Sequence, residues 1–163
     1  MTIIFIIIIM ILLLSLSFSL LMVMKFDAYK PRLAIDYGPR LIGIAAGTGV
    51  FSKPLLTLPH SGDLVDLSTK ILTIAQSNNV IEILIGLPLD GNGKMSHDIY
   101  NFNGRLCLNF TSVLSAVSLK TNPNIKIVLV DERYTTKEAK IRMKAEKLKA
   151  TIDAVAALCI LDR

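Results

Sequence analysis

Residues 32–46 read RLAIDYGPRLIGIAA. Two apolar runs, Arg32 to Asp36 and Leu41 to Ala46, are joined by Tyr37, Gly38, Pro39 and Arg40, which spells a strand, a turn and an antiparallel strand. Leu55 to Leu58 offers a third strand. The period then changes: Leu64, Leu67, Ile71, Leu72 and Ala75 recur at helical spacing and stop at Ser77, Asn78 and Asn79. IEILIG, residues 81–86, is a nearly continuous apolar run of the kind buried on both faces of a parallel sheet. Residues 96–119 pattern a long helix with Ile99, Phe102, Leu106, Phe110, Val113, Leu114 and Val117 on one side. IKIVLV, residues 125–130, is the last strand. Thr135-x-x-Glu138 spells a capping box at the start of a basic helix running to about Lys149, and Thr151 caps a short apolar helix containing Asp153. A meander followed by strands that return through helical crossovers predicts an α/β fold with a mixed sheet.

Outside this stretch lies a segment of different character. The chain has 163 residues, is 52% hydrophobic and carries 18 Lys+Arg against 13 Asp+Glu, but residues 1–24 contain no charged side chain. The rest has the composition of an ordinary globular domain, which excludes a polytopic membrane protein and a disordered chain. Two cysteines, Cys107 and Cys159, exclude a disulfide scaffold and read as buried free thiols in apolar helical patterns. Residues 1–24 are an N-terminal hydrophobic helix long enough to cross a bilayer. They read as a signal peptide with a Ser17-x-Ser19 site, as an anchor followed by Lys25, Lys30 and Arg32, or as sequence upstream of a start at Met22 or Met24. The expected organisation is this segment and a domain over 30–163.

In an open α/β sheet, chemistry sits beyond the carboxyl ends of the strands. Asp36 ends the first strand there, Asp131 and Glu132 end the last, and Asp153 opens the final helix. Carboxylates converging from separate elements repel one another unless a cation neutralises them, and hard cations such as Mg²⁺ favour oxygen ligands. Two such ions roughly 4 Å apart are the usual device for in-line phosphodiester cleavage. Taken singly, each residue has a plainer role: Asp36 in a turn, Asp131 and Glu132 paired with Arg133 or Arg40, Asp153 at a helix start. Asp-x-Gly on a first strand also opens phosphate sites of the actin and sugar-kinase type.

IDYGPRLIGIA (35–45), ILIGLPLDGNG (83–93), VDERYTTKEA (130–139) and IDAVAALCIL (152–161) follow the order and context of the YqgF/RuvX family, which the chain resembles over about residues 32–162. These are ribonuclease H-like proteins described as Holliday junction resolvases and regarded as pre-16S rRNA nucleases. The resemblance implies a ribonuclease H-like mixed five-stranded sheet flanked by helices. It also implies catalytic, metal-binding roles for Asp36, Glu132 and Asp153, with Mg²⁺ or Mn²⁺ as cofactor and Asp131 as the second-choice ligand. Alternation along a strand end favours Glu132 over Asp131. Arg133, Thr135 and Thr136 match the family motif and are expected to position that strand end or a phosphate; Gly86, Leu87 and Pro88 match its loop. The chain departs from the family at Leu41, where Arg or Lys is usual, leaving Arg40 as the cation of that turn. It departs again between Glu138 and Asp153, a segment shorter than usual and expected to be a mobile loop near substrate, and it stops at Arg163 where relatives continue.

The charge fits a polyanion. Lys137 to Lys149 holds six Lys/Arg against two Glu, and the isoelectric point is near 9.3, in the range of nucleic-acid-binding domains. Arg40, Arg133, Thr135, Thr136, Lys137, Lys147 and Lys149 are the expected nucleic-acid contacts. With no aromatic interleaving to stack bases, backbone recognition is expected. His60 and His97 lack partners at ligand spacing and take no metal role. The expected activity is phosphodiester cleavage in the 5′-end processing of pre-16S rRNA. The alternatives are resolution of branched DNA and a non-catalytic nucleic-acid- or ribosome-binding protein. Expected partners are structured precursor rRNA or branched DNA and ribosomal precursor particles, with membrane contact only through residues 1–24, in a monomer or homodimer. The expected compartment is the cytoplasm or the stroma of a plastid or mitochondrion.

Overall fold

The structure, a computed structural model, describes residues 8–17, 30–48, 51–89 and 102–163. Strands β1 (Arg32–Tyr37), β2 (Leu41–Gly47) and β3 (Ser52–Pro59) form the meander. Helix α1 (Leu64–Ser77) leads to β4 (Glu82–Leu87), α2 (Phe102–Thr121) to β5 (Lys126–Asp131), and α3 (Thr135–Glu146) and α4 (Ile152–Leu161) close the chain. The sheet order is β3-β2-β1-β4-β5, with β2 antiparallel to β1 and to β3, and β4 and β5 parallel to β1. The mixed five-stranded sheet expected from the sequence is therefore present.

Side-chain alternation gives the sheet two unlike faces. Leu33, Ile35, Ile42, Ile44, Ile83 and Ile85 point to one layer, where they pack on Leu67 and Ile71 of α1 and on Phe110 and Leu114 of α2. Ala34 and Ala45 point the other way, against Ala157, Leu158 and Ile160 of α4. Small residues on both sides let α4 lie close on the sheet, and α3 packs outside it through Ala139, Val155, Ala156 and Cys159. Cys107 and Cys159 are buried and free, as expected.

Helix α4 comes close to the sheet at Gly43, which is paired in register with Asp36. A methyl group there would collide with the backbone carbonyl of Asp153. Because the obstacle is backbone, Gly43→Ala must lift the start of α4. The expected loss is about 1–3 kcal/mol, read as a fall in Tm of roughly 2–4 °C per kcal/mol. An unchanged thermal unfolding curve would mean that α4 is not seated on β2. The helix is fastened at both ends: Thr151 accepts from the Ala154 amide at 3.3 Å and bonds Thr57 of β3, while Ser52 donates to Asp162 at 3.0 Å.

Two local expectations are corrected. The capping box is absent: Thr135 is the first helical residue, only 4% exposed, and Tyr134 precedes it with a left-handed backbone and no side-chain cap. The chain turns too sharply after β5 to leave Thr135 outside the helix, and its amide is already bonded to the Glu132 carbonyl at 3.1 Å. The segment after Glu138 is not a loose loop either. Helix α3 runs on to Glu146, Lys147 takes a left-handed backbone, and Leu148 packs into the clusters on both sides of α4. Residues 96–101 of the expected long helix lie outside the described residues. Of the hydrophobic segment 1–24, residues 8–17 are described, helical and exposed; among the described residues no helix is long and apolar enough to cross a membrane.

Candidate active site

Asp36, Gly86 and Glu132 lie at the carboxyl ends of the parallel strands β1, β4 and β5. On β5, Val128 and Val130 pack toward α4, so alternation sends Glu132 to that face and Asp131 to the other. On β1 the same alternation puts Asp36 with Ala34 on the α4 face, beside Asp153 at the start of that helix. Gly86, on the strand between, has no side chain, and the Glu132 carboxylate occupies the room this leaves: a methyl on Gly86 would collide with Glu132 Oε2 and approach Ile160 Cδ1 at 2.6 Å. Glu132 thus leans over β4 toward β1. The sequence marks Gly86 as part of a loop motif; its role as the floor under Glu132 shows only once β4 is seated between β1 and β5.

Burial is what these acids feel most. It raises Glu132 to about 7, aided by the charge of Asp36 and opposed by Arg163. It raises Asp36 to about 6, aided by Asp153. Glu132 Oε2 is buried and has no hydrogen-bond partner, an expensive state for a carboxylate oxygen. Beneath the pair, the Cys107 thiol donates to the Gly86 carbonyl at 3.1 Å. Burial, with Glu132 and Asp36 nearby, pushes that thiol up to about 12, so it stays protonated and serves as wall, not nucleophile.

Asp131 has a different task. It accepts from the Arg133 amide at 2.9 Å and from Arg133 Nε, and pairs with the guanidinium at 2.7 Å; these bonds hold its carboxyl below the usual range. Arg163 supports the same turn from outside. It donates to the carbonyls of Asp131 and Arg133, each at 2.7 Å, and to Glu138 at 3.1 Å. The two carbonyls flank Glu132, so one guanidinium fixes the peptide units that present it. Nothing in the motifs marks Arg163 for this, because it reaches the turn from the far end of α4.

Of the expected nucleic-acid contacts, Arg40, Thr136, Lys137, Lys147 and Lys149 are exposed, and Arg133 is engaged with Asp131. Thr135, also expected among these contacts, is only 4% exposed under the first turn of α3. Leu41, 46% exposed, stands beside Arg40. His60 bonds Tyr37 at 2.6 Å through Nε2 and accepts from the Gly62 amide at 3.0 Å through Nδ1, which leaves neither ring nitrogen for a metal. His97 lies outside the described residues.

Among the described residues, no three Asp, Glu, His or Cys side chains form a ready-made metal cage. Asp36 is an electrostatic neighbour of Glu132, and Asp153 of Asp36. The donor set nonetheless suits a hard divalent cation. An orphaned buried oxygen and two acids that burial pushes up from the usual carboxylate range are what such an ion would relieve.

A family model described as RuvX, Holliday junction resolvase, matches residues 30–163. Similar curated proteins are named as candidate pre-16S rRNA nucleases. One from Malacoplasma penetrans is 34% identical over 135 residues, covering 80% of this chain and 89% of that protein. One from Rickettsia typhi is 33% identical over 140 residues, covering 82% and 83%. Among solved structures, Thermus thermophilus RuvC in complex with Holliday junction substrate aligns with a TM-score of 0.55 at 9% identity, over 80% of this chain and 89% of that one. The yeast mitochondrial Holliday junction resolvase Ydc2 aligns at 0.50 and 13%, over 83% and 78%. At those identities the likeness is one of fold.

Proposed function

The chain belongs to the RuvX family, and from that premise we propose that residues 30–163 form a metal-dependent phosphodiester nuclease that matures precursor 16S rRNA. The family and the named relatives support a nuclease acting on nucleic acid. The observation that carries the metal-dependent reading is Glu132, buried over Gly86 with an unpartnered oxygen and electrostatically tied to Asp36.

Asp36 and Glu132 would hold Mg²⁺ or Mn²⁺, with Asp153 adding charge from the start of α4. A bound ion would supply Lewis-acid stabilisation of the phosphate and an activated water. The chain's own residues do the rest. Glu132, which burial pushes up to about 7, would hold the ion as its carboxylate, with the proton released to solvent; Gly86 leaves it the space to lean, and Cys107 keeps the floor neutral. Asp131 and Arg163 hold the turn, while Arg40 and the exposed lysines of α3 draw the phosphate backbone to an otherwise acidic edge. Asp131 is a positioning residue in this scheme, not a ligand.

The test is incubation of the whole chain with a precursor 16S rRNA fragment and with a four-way DNA junction, in Mg²⁺, in Mn²⁺ and in EDTA. The expected result is RNA cleavage that requires the metal and leaves the junction intact. Junction resolution with untouched RNA would transfer the site to branched DNA. Binding of RNA without cleavage of either substrate would favour a non-catalytic binding protein.

A further inference from the structure

The turn that presents Glu132 to the inside presents an aromatic ring to the outside. Tyr134 has a left-handed backbone, φ 68°, and is 66% exposed. A bulky residue at positive φ is strained, and an exposed ring regains little of that through packing. The turn around it is rigid: the Arg133 amide is tied to Asp131 at 2.9 Å, the Thr135 amide to the Glu132 carbonyl at 3.1 Å, and the Arg133 carbonyl to Arg163 at 2.7 Å. The ring is therefore carried at a fixed offset, two residues from Glu132.

Tyr134 also heads a stripe. Helix α3 buries Thr135 and Ala139 against its neighbours, so the side opposite faces solvent. Lys137, Ile141 and Lys144, at helical spacing, share that side with Lys140 at its flank, and all are exposed, as is Tyr134 just before the helix. An aromatic head followed by three lysines matches an RNA strand in charge and in chemistry: cations for phosphates and a ring face for a base.

We infer that Tyr134 is a stacking platform for an unpaired RNA base next to the scissile phosphodiester, with Lys137, Lys140 and Lys144 tracking the backbone beyond it. This rests on the nuclease reading and specifies which RNA the site selects: a strand with unpaired nucleotides at the cleavage point rather than a continuous duplex.

The test uses the full chain carrying Asp36→Asn, so that RNA is bound but not consumed, in Mg²⁺. Two probes are compared: an RNA hairpin with a single-stranded extension and the same hairpin with a blunt end. Tyr134→Ala is expected to raise Kd for the extended hairpin by about 5- to 150-fold and to leave the blunt hairpin within twofold; Tyr134→Phe keeps the parental affinity. Tyr134→Gly, which accepts the left-handed backbone freely, is expected to lose affinity like Tyr134→Ala with no fall in Tm, which separates stacking from misfolding. The chain has no Trp and four Tyr, so quenching of tyrosine emission by the extended hairpin, absent in Tyr134→Phe, reports the ring directly. Equal affinity of Tyr134→Ala and the parent for the extended hairpin would overturn the inference, as would equal weakening for both hairpins. If the parent binds neither RNA, the nuclease reading itself falls.

Discussion

Asp36→Asn and Glu132→Gln are each expected to lower RNA cleavage by more than about 100-fold, beyond the 10- to 100-fold that loss of a metal site's outer partners costs, and each to raise the Tm of the metal-free chain at pH 8. The pairing of opposite effects is diagnostic. Both carboxylates are half-buried and disfavoured in the charged form, one beside Asp153 and the other with a buried oxygen that has no hydrogen bond. A neutral isostere removes that strain while removing a ligand. Asp131→Asn is the contrast: its carboxylate is paired with Arg133 at the surface, so cleavage is expected to fall by no more than the about 10- to 100-fold of an outer positioning contact, and Tm is not expected to rise. Activity assays and thermal unfolding of the three variants check this. A greater loss at Asp131 than at Glu132 would reverse the assignment along β5.

Without metal, the chain is expected to be more stable near pH 5 than at pH 8. Asp36 moves from 3.8 to about 6 on folding, and Glu132 from 4.5 to about 7. Between about pH 4 and 7 the folded chain therefore holds protons that the unfolded chain has released. Stability then falls as pH rises through that window, by up to about 1.4 kcal/mol per pH unit for each group. Part of the Glu132 shift is repulsion from Asp36 and both groups keep some solvent, so the whole effect is a few kcal/mol, or several degrees in Tm. Below pH 4 the lowered Asp131 and other carboxylates act in the ordinary direction and stability drops again. Glu132→Gln flattens the slope, and saturating Mg²⁺ inverts it because the cation competes with the protons. Thermal unfolding from pH 4.5 to 8.5, with and without Mg²⁺, measures this; a metal-free Tm that climbs steadily to pH 8 would contradict it.

Much of this arrangement is legible in residue order. The break at Tyr37–Arg40 between two apolar runs encodes the meander, the continuous run 81–86 marks a strand buried on both faces, and alternation along 128–132 separates Glu132 from Asp131. What residue order does not carry is proximity between elements. Gly43 and Gly86 look like ordinary glycines until α4 and Glu132 are laid over them. Arg163 reaches the Asp131–Arg133 turn across the width of α4, and the exposure of Tyr134 comes with the left-handed turn before α3. The capping-box expectation at Thr135 fails for a related reason. The short Thr-x-x-Glu pattern is local, whereas the sharp turn after β5 is imposed by Asp131, Glu132 and Arg163 together.

Titration of Mn²⁺ into the whole chain at pH 6.5, with the released protons counted, addresses the metal-holding role of Asp36 and Glu132 most directly. Wild type is expected to bind Mn²⁺ and release protons as it does so, because Glu132 and part of Asp36 are protonated at that pH, and Glu132→Gln is expected to lose both the binding and the release. Binding of equal strength in Glu132→Gln, or RNA cleavage that proceeds at full rate in EDTA, would contradict a metal centre built on these two carboxylates.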